Sequence, residues 1–180
     1  MARLPLVPED ASPEVSVAYA EIVKSRGRVL NVYSVLGHAP EGLRRLAAVG
    51  EDVRFQTQLP NRLRELLILA TASQNRCQYE FVQHVPLGRA AGVSEAEIEA
   101  LGDRRLPEGL NALERAAVRY VQELARERRV SDATFAELRA HCDAREITDL
   151  TLLTGFYTAL GLALNAFDVD LEPDQAPLLR

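Results

Sequence analysis

The sequence predicts an all-α domain, and three observations carry that reading. Ala, Leu, Arg and Glu dominate it, all good helix formers, while Trp is absent and aromatic residues amount to five Phe and five Tyr. Runs of β-branched residues of strand length are nearly missing. Residues 66–72, LLILATA, are apolar on every face, the mark of a helix buried all round. A chain of 180 residues with 47% hydrophobic side chains suffices for one domain with a real core and is short for two. We therefore expect a single domain over residues 1–180.

The chain divides as follows. Residues 1 to about 11 form an extended arm, because Pro5 and Pro8 deny it helical hydrogen bonds. Ser12-Pro13-Glu14 supplies a capping hydroxyl, a proline for the first turn and an acid facing the helix dipole; that helix runs to about Ser25 and stops near Gly27. NVYSVLGHAPEGLRRL reads as a short helix ending at Gly37, a turn at His38-Ala39-Pro40, and a new helix to about Gln56. Pro60 or Asn61 opens a central helix pair joined by SQNRC, with Asn75 as the expected cap of the second helix and a kink expected at Pro86. Ser94 to Glu97 and Asn111 to Glu114 are capping-box sequences flanking the exposed linker GDRRLPEG. Val93-Ser94-Glu95-Ala96 recurs as Val130-Ser131-Asp132-Ala133, a faint internal duplication or two similar helix starts. The last helix is capped by Asp143, has Glu146 at its third position and reaches about Phe167; a loose tail over about 168–180 follows.

Charge and composition exclude several function classes. The net charge is −5, and acids sit among the arginines at Arg104–Arg105 and Arg126–Arg129, so no nucleic-acid partner is expected. The opening residues hold no apolar run of signal-peptide length. The most apolar stretch, Leu150 to Phe167, is broken by three threonines, two glycines and an asparagine, which suits a buried helix better than a membrane span. Two cysteines and no export signal point to a reducing cytoplasm, with Cys77 and Cys142 both free.

Chemistry concentrates between Leu59 and Gly92. Cys77, Glu80 and His84 fall at i, i+3 and i+7, on one face of a continuous helix, and Glu65 lies twelve positions before Cys77 on a helix that can fold back alongside. Singly, each has a structural explanation: Glu65 pairing with Arg62, Cys77 as a small core filler, Glu80 and His84 as an ordinary i,i+4 pair. Together, beside a helix apolar all round, they are desolvated, which raises a carboxyl pKa and lowers that of His towards the range where proton transfer is efficient. One His, two Glu and a Cys mix hard and soft donors without a zinc-type spacing, and no Gly-rich phosphate loop is present, so neither metal nor cofactor is expected.

In LPNRLRELLIL, CQYEFVQH and AGVSEAEIEAL, with NVYSVLGHAP upstream and ITDLTLLTGFYTALGLALNAF downstream, the chain resembles the carboxymuconolactone decarboxylase and AhpD-like family. The resemblance implies an all-α helical bundle that oligomerises as a trimer or hexamer, with a dimer as the smaller alternative. The stripe Gly155, Ala159, Ala163 offers a helix face for close approach. In the peroxidase branch a Glu precedes a Cys-x-x-Cys and a His. Glu65, Cys77 and His84 match at the same spacing, but Glu80 stands where the second, peroxide-attacking Cys would be. The resemblance therefore favours the branch without the Cys pair, a cofactor-independent acid–base enzyme acting on a small carboxylated lactone or keto acid. In that reading Glu65, Glu80, His84 and Cys77 form the catalytic set, and Arg76 and Tyr79 bind substrate. A thiol peroxidase working through Cys77 and a non-catalytic oligomeric module are the alternatives.

Overall fold

The computed structural model describes residues 2–179 and contains, among them, nine helices and no strand: α1 (Pro13–Arg26), α2 (Asn31–Leu36), α3 (Pro40–Phe55), α4 (Asn61–Gln74), α5 (Gln78–Ala90), α6 (Glu95–Gly102), α7 (Ala112–Glu127), α8 (Asp132–Arg139) and α9 (Ala144–Phe167). Met1 and Arg180, the outer ends of the expected arm and tail, lie outside the described residues.

The all-apolar α4 occupies the centre, packed against α5, α6, α7 and α9. Leu66, Leu67, Ile68 and Leu69 are all fully buried, as full circumferential burial demands. Each such side chain contributes about 1.5–3 kcal/mol on leaving water. Thr71 and Thr154 enter this core because each hydroxyl donates to the carbonyl one turn back, on Leu67 and Leu150. Outside the main core, α1 and α3 close over Val15, Ala18, Tyr19, Ile22 and Leu43. A third cluster joins α2, the start of α5 and the end of α9 through Val32, Cys77, Tyr79, Leu160 and Leu164. By length and composition α9 could cross a membrane. Here its Leu150, Leu153, Tyr157, Leu160 and Leu164 are buried within the bundle.

Helix starts written in side-chain caps form where expected. Ser12, Ser94, Asn111 and Asp143 each accept from the third residue of their helix, and the last three close full capping boxes. The α4–α5 connection differs from expectation. Asn75 does not cap α5 but ends α4, and Arg76 adopts the left-handed conformation (φ 51°). The Arg76 amide then donates to Ser73 and the Cys77 amide to Ala72, the paired bonds of a Schellman ending. The chain reverses so tightly that Cys77 itself becomes the N-cap of α5, and Glu80 lands in its first turn. Pro86 lies on the exposed side of α5, which continues through it to Ala90.

The tail is not loose. Glu172 accepts from the Tyr79 hydroxyl at 2.6 Å and from the Asn31 amide at 2.9 Å, Gln175 pairs with Gln83, and the Leu179 amide donates to Gln78. Sequence reading missed this docking because its partners lie far up the chain. The N-terminal arm is extended and also tied down. The Arg3 amide donates to Phe167 and the Val7 amide to Ser34.

Candidate active site

Two adjacent helices deliver the acid–base groups. Glu65, in the second turn of α4, and His84, two turns into α5, meet at 2.7 Å through Oε2 and Nδ1, both buried. Burial alone would raise the Glu65 carboxyl, but the hydrogen bond and charge of His84, with Arg54 and Arg64 nearby, hold it below its ordinary value. Burial outweighs Glu65 at the imidazole and lowers His84, and the charges of Arg54 and Arg26 add to that. At neutral pH the pair is therefore carboxylate and neutral imidazole, with Nδ1–H donating to Glu65. Nε2 has no hydrogen-bond partner among the described residues and is free to take a proton. The imidazole is held from the side by Tyr157, edge-on at 5.1 Å between ring centroids.

Glu80 is the second group. It is 3% exposed, and neither carboxylate oxygen has a hydrogen-bond partner among the described residues. Burial drives its pKa well above the usual carboxylate range, which favours the protonated acid. The Cys77 thiol sits beside it, fully buried and raised chiefly by that burial. Room for both comes from Gly161 on α9: a Cβ there would fall 2.9 Å from Glu80 Oε2 and 3.3 Å from Cys77 Cβ.

Glu80 and His84 open into a cavity of about 100 Å³. Tyr33, Phe156 and Tyr157 give it aromatic walls, Val32, Leu160 and Leu164 aliphatic ones, and Arg26 and Arg54 its positive charge. Of the residues expected from sequence, Glu80, His84 and Tyr79 line it, and Glu65 stands behind His84. Cys77 does not reach it. The Tyr79 hydroxyl is engaged by Glu172 and the Val32 amide, so Tyr79 presents only its ring. Arg76 is corrected: it is exposed at the α4–α5 turn and borders a different depression with Ser73, Gln78 and Arg104. Its backbone there is left-handed, just past the end of α4.

Sequence reasoning missed Arg26, Arg54, Tyr157 and Gly161. Arg26 and Arg54 read as the basic residues expected at the ends of α1 and α3, and only the packing of these helices turns them to one cavity. Sequence also paired Arg62 with Glu65. Arg62 instead bonds Glu97 at 2.6 Å and Glu114 at 2.8 Å. Among the described residues no three His, Cys, Asp or Glu side chains gather into a metal site.

A sequence profile of the carboxymuconolactone decarboxylase family matches residues 40–123, a span holding Glu65, Cys77, Glu80 and His84. No curated protein matches in sequence. Among solved structures the fold is shared with an uncharacterized peroxidase-related protein from Ralstonia eutropha JMP134 with the alkylhydroperoxidase AhpD core (21% identity, 98% of each chain, TM-score 0.83). It is likewise shared with a peroxidase-related protein from Silicibacter sp. TM1040 (22% identity, 96% of this chain and 93% of that one, TM-score 0.79). A third is a cysteine-to-alanine variant of the debrominase Bmp8 in complex with 2,3,4-tribromopyrrole (16% identity, 95% and 91%, TM-score 0.78).

Proposed function

Because this chain belongs to the carboxymuconolactone decarboxylase family over residues 40–123 and carries the AhpD-like helical fold, we propose that it is a cofactor-independent acid–base enzyme acting on a small carboxylated lactone or keto acid. One observation carries the reading. Two titratable groups share a cavity in opposite roles: His84 held neutral with Nε2 open as a base, and Glu80 held protonated as an acid. Proton removal beside a carbonyl by Nε2, or loss of carbon dioxide, generates an enolate; Glu80 then supplies the proton that quenches it. Glu65 orients the imidazole and stabilises the imidazolium that forms. The pH–rate profile on a lactone or keto acid found by screening should be bell-shaped, rising as His84 loses its proton and falling as Glu80 does. A profile flat from pH 5 to 9 would overturn the scheme.

The likeness to a peroxidase-related protein suggests peroxide reduction as a second reading, with Cys77 as the reactive group. Cys77 is poorly suited to it. Its thiol is buried and raised in pKa, and its nearest titratable neighbour is a carboxyl rather than a resolving thiol. Wild type should reduce peroxides poorly even with excess dithiol. Glu80→Cys places a second thiol three residues away at the helix start and should form a reversible internal disulfide with measurable peroxide turnover. Equal turnover by wild type would return Cys77 to the centre of the mechanism.

We extend the proposal to self-association. The outward stripe of α9 carries Leu152 and Leu162, each 54% exposed, with the exposed small residues Gly155 and Ala159 between them. A second copy seated there buries those leucines. Sedimentation at micromolar concentration should give a trimer, a hexamer or at least a dimer of the 19.9 kDa chain; a compact monomer would contradict it.

A further inference from the structure

The cavity holds more positive charge than its own acids balance. Arg26 comes from the last turn of α1 and Arg54 from the last turn of α3, and both line the cavity beside Glu80 and His84. Each has its Nε buried with no hydrogen-bond partner, and neither makes an ion pair among the described residues. Both touch rings instead: Arg26 lies over Tyr33 at 5.4 Å and Arg54 over Phe55 at 5.1 Å. Glu65 is the carboxylate at hand, and its Oε2 is committed to His84. An Nε–H buried without an acceptor is costly, so two such arginines lining one cavity describe an acceptor that arrives with a ligand.

We infer that Arg26 and Arg54 form the anchor for a carboxylate of the substrate, and that this anchor, set against Tyr33, Phe156 and Tyr157, selects a compact, unsaturated or aromatic carboxylic acid. The inference deepens the acid–base reading and rests on it for the orientation of the bound molecule. The planar guanidinium fork matches a carboxylate in a way an ammonium does not, and the aromatic walls suit a flat body. With its carboxylate at the arginines, the far end of so small a ligand is directed at His84 and Glu80, where protons move. Arg26 precedes the segment matched by the family profile, so half of the anchor is supplied by the N-terminal helix.

Binding can be read without turnover. Benzoate and crotonate serve as probes and benzamide as the uncharged counterpart of benzoate, titrated by calorimetry or NMR into the full chain. Wild type should bind the carboxylates saturably and benzamide at least about ten-fold more weakly. Arg26→Met and Arg54→Met should each weaken benzoate by about ten-fold or more, and the double variant should abolish binding. Lysine at both positions keeps the charge without the fork and should bind with intermediate affinity. Neither guanidinium is in an ion pair, so the variants should stay folded and melt close to wild type; the benzoate–benzamide contrast needs no variant at all. Equal binding of benzamide, unchanged benzoate affinity in the double methionine variant, or no saturable carboxylate binding by wild type would overturn the anchor. Failure of the acid–base reading looks different: Glu80→Gln would leave turnover intact while benzoate still depended on Arg26 and Arg54.

Discussion

Arg62→Met is expected to lower the free energy of unfolding by about 3 kcal/mol, the low end for breaking a buried pair because Arg62 is 28% exposed. For a chain of this size the melting temperature should fall by roughly 6–12 °C. One guanidinium bonds Glu97 of α6 and Glu114 of α7, and it also donates to the Gly92 carbonyl. These glutamates are the third residues of two capping boxes, each also accepting from its own cap amide. Removing Arg62 leaves two buried carboxylates without a cation. The Arg62 hydrogen bond, against the opposing effect of burial, takes the Glu97 carboxyl down to about 2. A carboxyl lowered in the folded state adds stability that is present above its unfolded pKa, near 4.3, and lost as pH falls towards 2. The gap between wild type and variant in urea unfolding should thus be wide at pH 7 and narrower at pH 3. A gap below about 1 kcal/mol at pH 7 would mean that the cluster behaves as an exposed surface pair.

Glu80→Met should move stability and activity in opposite directions. The side chains are similar in length, and methionine needs no hydrogen bond where both Glu80 oxygens lack one. At pH 8 the variant should gain about 1–3 kcal/mol, the cost of burying an unsatisfied polar group. The pH dependence has the opposite sign to that of Glu97. Because the Glu80 pKa is raised in the fold, its favourable contribution is complete below the unfolded value, near 4.3, and is lost as pH rises through the folded value. The advantage of the variant should therefore grow from pH 4 to pH 8 in parallel urea titrations. Turnover by the proposed route should drop by about 10²–10⁴-fold with the acid gone. A variant less stable than wild type at pH 8 would show that Glu80 is held by favourable contacts, and its protonated state would lose its basis.

The sequence was most legible where structure is local. Ser12, Ser94, Asn111 and Asp143 each cap through a bond three residues long, so their helices start where the residue pattern says. The Glu65–His84 contact, nineteen residues apart, was also within reach, because one tight reversal connects two regular helices. That reversal misled at Asn75 because an arginine took the left-handed position usually held by Gly or Asn. What depended on distant packing was hidden. Glu172 meets Tyr79 and Asn31 across 93 and 141 residues, and Arg62 meets Glu97 and Glu114 across 35 and 52. Arg26 and Arg54 converge only after α1 and α3 are laid together.

The docked tail also bears on chemical reactivity. Val169 and Leu171 pack on the cluster that holds Cys77, while Glu172 fastens the tail to α2 and α5. Cys77 is fully buried in that cluster, so a bulky reagent must wait for a local opening before it reaches the thiol. Labelling of Cys77 in the native protein then runs at the rate of a local opening and not at the intrinsic rate of the thiol. The cysteine becomes a clock for how often this cluster opens.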